Sequence, residues 1–298
     1  MAYLLLVFTV LFWAGNFVVA RAMHLELPPV TMAFMRWSLA FILISPWLIP
    51  RFWRLRAVIR RHWKILVFYG VVGVAGFNTQ IYLGLQDTQA TNATLMQSFI
   101  PILILVISAL GLRQPVSRRQ WLGVLISFAG ICFLVSKGQW QNLAALTFNP
   151  GDIWILGAVV VWALYSVALR WRPAELDGLT LLGVTVLVAV LTLAPLSYYE
   201  LRQGAEIHWS QGSIATILYM ALFPSILSYI FWNKGVEQLG APVAGLFIHL
   251  LPVFGLILSA LLLGEQIYAF HLYGVALIFT GIYLALIADA LKILRRHR

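Results

Sequence analysis

Ten apolar runs, each long enough to cross a bilayer, constrain this chain more than any other feature. They cover residues 3–21, 30–50, 64–85, 89–111, 118–136, 152–170, 178–199, 212–234, 240–263 and 268–289. A helix needs roughly 20 apolar residues to span the hydrocarbon core. Ten such helices occupy most of the 298 residues and leave no room for a soluble domain of about 50 residues or more. The composition agrees: 62% of residues are hydrophobic and 10% charged, against about 25% charged in soluble domains. The expected fold is an all-α integral membrane protein of ten transmembrane helices.

The formal net charge is +10. In a soluble protein that would point to nucleic acid, but here position explains it better, and no nucleic-acid partner is expected. Arg51, Arg54, Arg56, Arg60, Arg61 and Lys64 lie between helices 2 and 3, Arg113, Arg118 and Arg119 between helices 4 and 5, and Lys292, Arg295, Arg296 and Arg298 in the tail. In a ten-helix weave these groups fall on one side, and the other side holds few cations: Arg21, Lys137 and Arg202. The positive-inside rule then makes both termini cytoplasmic, with the chain in the inner (plasma) membrane. The "ARA" at 20–22 resembles a signal-peptide cleavage site. No basic segment precedes it and the run is long, so 3–21 reads as a transmembrane helix.

The second half repeats the first. Trp13 matches Trp162, Asn16 matches Tyr165, Arg21 matches Arg170 and Pro46 matches Pro195 at an offset of 149. From helix 3 the offset is 151: Gly84 matches Gly235, Pro101 matches Pro252, "SAL" at 108–110 recurs at 259–261, Gly123 matches Gly274 and Gly130 matches Gly281. The chain therefore divides into residues 1–137 and 138–298. Five helices per copy is an odd number, so the second copy enters from the opposite side. The loops agree: "LRQPVSRR" at 112–119 corresponds to 263–270, whose only charge is Glu265. Inverted repeats of this kind place a substrate site near the midplane and alternate its access.

Polar residues within spans face the bundle interior or a wet cavity. The candidate substrate-binding residues are Trp13 and Asn16 on helix 1, Asn78 and Tyr82 on helix 3, Gln97 on helix 4, Trp162 and Tyr165 on helix 6, Tyr229 and Asn233 on helix 8, and His249 on helix 9. The Asn78/Tyr82 and Tyr229/Asn233 pairs are repeat-equivalent with their residue types exchanged, as two stripes facing one cavity would be. The alternative is helix-to-helix hydrogen bonding. Pro101 and Pro252 interrupt helices 4 and 9 and are candidate hinges. Arg36, the one cation deep in a span, could hold a substrate carboxylate. It is read instead as tying helix 2 to loop carbonyls or snorkelling outward. Helices 5 and 10, with Gly123, Ser127, Gly130, Gly274 and Gly281, read as scaffold or as the contact of a homodimer.

Several chemistries are missing. The single cysteine, Cys132, excludes an internal disulfide or a cysteine metal cluster. No Asp or Glu lies mid-span, and no HExxH, GxSxG or P-loop pattern occurs. No enzyme activity, cofactor or metal is expected, and neither is ATP drive.

The paired repeats, "FWAGNF" in helix 1, "MRWSLA" at 35–40, "YLGLQ" at 82–86, "APVAGLFIHLLPVFGLILSALLLGE" at 241–265 and "GVALIFTGIYL" at 274–284 resemble the EamA-type permeases of the drug/metabolite transporter superfamily. The resemblance covers essentially the whole chain. It implies ten helices and export of small metabolites, with the aromatic amino-acid exporters the nearest analogue, and it marks Arg36 and Glu265 as recurrent fold positions. The expected function is uniporter-like export of neutral amino acids, aromatic ones included, by alternating access. Export of other small organic metabolites or drugs, and a non-transporting receptor or scaffold, are the alternatives.

Overall fold

The computed structural model describes residues 1–23, 25–88, 90–114, 116–144, 146–263 and 266–296, and its regular elements are all helical. Ten helices are long and apolar enough to cross a membrane. They are α1 (Ala2–Ala20), α2 (Pro29–Arg61), α3 (Trp63–Asp87), α4 (Asn92–Gly111), α5 (Arg118–Val135), α6 (Pro150–Trp171), α7 (Gly178–Arg202), α8 (Gln211–Leu239), α9 (Ala241–Leu258) and α10 (Ala269–Ile287). Glu265 and Arg298 lie outside the described residues.

One boundary differs from expectation. The basic segment after residue 50 is not a loop, because α2 continues through Pro46 and Pro50 to Arg61. A proline removes one ladder bond, and packed membrane helices tolerate that where neighbours meet the freed carbonyl.

Residues that are equivalent in the two halves touch each other. The rings of Trp13 and Trp162 stand 5.0 Å apart and nearly perpendicular. Asn78 Nδ2 donates to Tyr229 Oη at 3.0 Å, and His249 Nε2 meets the Ser98 carbonyl at 3.0 Å. Both of these pairs are 151 residues apart in sequence. A residue that touches its own repeat partner lies at the line relating the two copies. That line therefore passes between α1 and α6, α3 and α8, and α4 and α9.

The irregular turns are also paired. The α3 backbone widens into a π-helical stretch over Tyr69–Gly76, and α8 does the same over Ala221–Leu227. The helical run of α4 breaks at residues 98–99, just ahead of Pro101. In α9 the chain tightens to a 3-10 turn over Phe247–Leu250, just ahead of Pro252. Each proline thus sits where the helix changes its winding.

Helices α5 and α10 pack on one another more extensively than any other pair. A Cβ added at Gly123 would meet the Gly281 carbonyl and Ala285, and one at Gly130 would meet Gly274, Leu277 and Ile278. The small-residue faces, read as scaffold or as a homodimer contact, pack on one another inside the chain, as a scaffold role requires. Overpacking a close contact costs about 1–3 kcal/mol, and Gly123→Leu is expected to lower thermal stability by that amount. An unchanged unfolding midpoint would contradict the packing.

Candidate functional site

Arg36 lies about two turns inside α2 and is fully buried, at 0% exposure. Its Nε donates to Ser225 Oγ at 2.8 Å and its Nη2 to the same atom at 2.6 Å. Its Nη1 reaches Asn16 Oδ1 at 3.3 Å, Asn78 Oδ1 at 3.0 Å, and Tyr82 Oη. The guanidinium also lies over the Trp37 ring, 4.8 Å from its centroid. These acceptors come from α1, α3 and α8, and all are neutral. Among the described residues Arg36 takes part in no ion pair.

This corrects the reading of Arg36 as a loop anchor or a snorkelling side chain. It binds side chains at the centre of the bundle, and those side chains are the candidates Asn16, Asn78 and Tyr82. A charge within the membrane costs at least about 2.5–3.5 kcal/mol, and a buried ion lacking an opposite charge is worse placed than a paired one.

Beside this cluster stands a block of aromatic rings. Trp162 contacts Trp13 at 5.0 Å, Phe77 at 4.5 Å, Tyr165 at 5.1 Å, Trp232 at 5.4 Å and Tyr229 at 5.5 Å between centroids. Tyr229 also meets Trp37 at 5.1 Å. Trp13 Nε1 donates to the Pro224 carbonyl at 3.3 Å, and Tyr229 Oη to the Gly73 carbonyl at 2.8 Å. Gly73 and Pro224 are repeat-equivalent and lie within the two π-helical stretches, whose wide turns free these carbonyls. The indole N–H groups of Trp37, Trp162 and Trp232 are buried without a partner, which is uncommon for buried donors.

The expected central cavity is closed in this conformation by its own aromatic side chains. Two cavities, of about 420 and 410 Å³, lie toward the end that carries the basic segments, and an apolar-lined one of about 650 Å³ lies toward the other end, against α2, α3, α6 and α7. Between the aromatic block and the basic end, Tyr165 Oη donates to Asn233 Oδ1 at 2.8 Å. On the opposite side, Tyr82 Oη donates to Asn16 Oδ1 at 3.0 Å. Asn16 is the repeat equivalent of Tyr165, and Tyr82 that of Asn233. The two Tyr–Asn pairs are thus one contact made twice, with donor and acceptor exchanged. They differ in support, because Arg36 Nη1 grips both members of the Asn16–Tyr82 pair.

Eight of the ten candidate residues meet in this assembly: Trp13, Asn16, Asn78, Tyr82, Trp162, Tyr165, Tyr229 and Asn233. Tyr82 belongs to the Arg36 cluster, whereas Tyr229 belongs to the aromatic block, so the two tyrosines do not flank a common space as equals. Gln97 is buried on α4 and makes no hydrogen bond to this group among the described residues. His249 lies apart: Nδ1 meets Ser127 Oγ at 2.5 Å and Nε2 the Ser98 carbonyl at 3.0 Å. It joins α9 to α5 and to the break in α4. His249→Ala would leave that carbonyl without a partner, at a cost of about 1–3 kcal/mol. The expected result is a lower melting temperature with an unchanged substrate profile, read by thermal unfolding beside transport.

Sequence reasoning missed Trp232 and Ser225. Ser225 follows Pro224 directly, and Trp232 precedes Asn233 on the "SYIFWNKG" stretch, so adjacency to a proline and to a candidate polar residue was the available signal.

The profile of the EamA-like transporter family matches residues 1–136 and again residues 149–287. The chain belongs to that family. The double match agrees with the two halves seen in the contacts. "Uncharacterized transporter YyaM" of Bacillus subtilis is 27% identical over 77% of this chain and 75% of its own. An "Uncharacterized transporter" of Archaeoglobus fulgidus is 26% identical over 95% of this chain and 96% of its own. "Protein PecM" of Dickeya dadantii is 25% identical over 74% of this chain and 72% of its own. One solved structure superposes with a TM-score of 0.77 over 97% of each chain at 19% identity, which shows the fold alone. This EamA-like protein is accordingly a multi-pass membrane transporter.

Proposed function

We propose that this transporter exports amino acids across the inner membrane, neutral and bulky or aromatic ones among them, and that the substrate carboxylate binds Arg36. The observation that carries the reading is the buried guanidinium with five hydrogen bonds to neutral groups and no carboxylate. A carboxylate matches its fork in two parallel bonds. The three unpartnered indole N–H groups add donors for an acceptor-rich ligand. The asparagine oxygens and the Gly73 and Pro224 carbonyls are acceptors within reach of an ammonium group. The aromatic block offers flat apolar walls for a side chain. Phosphorylated solutes fit less well, since they ask for several deep cations and Arg36 stands alone.

With the basic segments on the cytoplasmic side, the Tyr165–Asn233 pair is the inner closure and the Asn16–Tyr82 pair the outer one. Two inverted halves that exchange these contacts give alternating access. Arg36 fastens the outer pair. A substrate carboxylate that takes over Nη1 weakens its hold on Asn16 and Tyr82, so binding loosens the outer closure. The linkage runs in the direction export requires.

Liposomes containing the purified protein, loaded with a panel of labelled amino acids, test the reading. Efflux of phenylalanine or another neutral amino acid is expected. Movement of other solutes with no amino-acid flux would sink it. Because no mid-span carboxylate is present, the substrate's own gradient is the expected drive, and an imposed proton gradient should change the rate little.

A further inference from the structure

A cavity of about 420 Å³ opens toward the basic end, between the ends of α4, α6 and α8 and the start of α9. Ligand sites commonly span about 300–1,000 Å³. Both repeats contribute to its wall. Ser108 and Ser166 line it, buried at 1% and 0% exposure, and the hydroxyl of each has no hydrogen-bond partner. The hydroxyls of Ser38, Thr79 and Thr180 are likewise buried without a partner, but those residues do not line this cavity. Other serines and threonines on the helices bond the carbonyl one turn back, as Ser127, Thr185, Thr192 and Thr280 do. Ser108 lies in the wide turn Ile107–Gly111, and Ser166 follows Tyr165 directly. The cavity therefore adjoins the Tyr165–Asn233 closure, and a neighbouring cavity of about 410 Å³ is lined by Asn233 itself.

The charged groups of the cavity are of both signs. Arg170, Arg172 and Glu237 line it. Glu237 pairs with Arg172 at 2.5 Å and with the exposed Lys234 at 3.2 Å, the contact an arriving ammonium would replace; Arg172 and Glu237 stand between the two cavities, lining both. Arg170 has no ion-pair partner among the described residues.

We propose that this cavity is a second amino-acid station, holding the zwitterionic head of a substrate before it passes Tyr165 and Asn233 toward Arg36. The carboxylate is held by Arg170 and the two serine hydroxyls, and the ammonium by Glu237. The proposal rests on the reading of this protein as an amino-acid transporter, and it predicts two sites per chain in place of one. It also gives the two hydroxyls that line the cavity a partner, which arrives with the substrate.

Equilibrium binding of radiolabelled L-phenylalanine to the full chain in nanodiscs, with thermal unfolding of the same samples, tests it. Wild type is expected to bind two molecules per chain. Ser108→Ala with Ser166→Ala should weaken one site at least tenfold and leave the melting temperature unchanged or higher, because unsatisfied buried hydroxyls are removed. Arg36→Met should remove the other site and spare this one. A single wild-type site, lost with Arg36→Met and indifferent to the serines, would overturn the second station and leave the amino-acid reading intact. A clear drop in melting temperature in the serine variant would make the hydroxyls structural and overturn it as well. No phenylalanine binding together with no amino-acid efflux would remove the functional reading, and the station with it.

Discussion

Arg36→Met abolishes transport and leaves the transporter folded. The guanidinium is fully buried and meets only neutral acceptors, so the cost of burying its charge offsets part of what those hydrogen bonds contribute. Removing the buried cation relieves its desolvation, while Asn78 Oδ1 loses its donor at a cost of about 1–3 kcal/mol, so a modest loss of melting temperature without unfolding is expected. Removing one partner of a buried, hydrogen-bonded charge pair in the complex costs about 2–5 kcal/mol. That corresponds to a loss of roughly 30-fold to several thousand-fold in substrate affinity. Arg36→Lys keeps the charge without the fork, so an intermediate loss is expected. Flux and melting temperature measured on the same preparations decide. Arg36→Met with full transport would remove Arg36 from the site, and a collapse in stability would make it structural.

Trp162→Ala lowers stability sharply and erases the preference for aromatic substrates. Trp162 is fully buried and touches Trp13, Phe77, Tyr165, Tyr229 and Trp232. Truncating a buried tryptophan costs about 3–5 kcal/mol. Each ring-on-ring interaction with a substrate is worth about 0.5–1.5 kcal/mol beyond area burial. Selectivity for phenylalanine over leucine should therefore fall about 2- to 12-fold for each such interaction that the truncation removes. Apolar cavities left by such truncations take up aromatic molecules. Free indole should accordingly recover part of the lowered melting temperature. Unchanged selectivity in protein that still transports would assign Trp162 to packing alone.

The ten spans and the two halves were legible in the sequence because hydropathy and duplication are local or periodic signals. Eight of the ten candidate residues converged for the same reason: the Asn78/Tyr82 and Tyr229/Asn233 stripes lie one turn apart on single helices. What was not legible depends on contacts between helices. Arg36 draws its partners from α1, α3 and α8, and no spacing within α2 announces them. The glycines of α5 and α10 mark a close approach without naming the partner, and that partner proved to be the other half of the same chain. His249 beside Pro252 was a candidate for the substrate site, but Ser98 and Ser127 reach it from α4 and α5. The π-helical turns in α3 and α8 left only the Gly73–Pro224 pairing as a trace.

The most direct measurement compares L-phenylalanine with L-phenylalaninamide in counterflow through reconstituted protein. The amide keeps the ring and the ammonium and replaces only the carboxylate that Arg36 is proposed to hold. Phenylalanine should exchange rapidly, while the amide should neither exchange nor compete, with at least about a 30-fold difference from the missing charge pair. Equal exchange of the acid and the amide would contradict carboxylate recognition at Arg36.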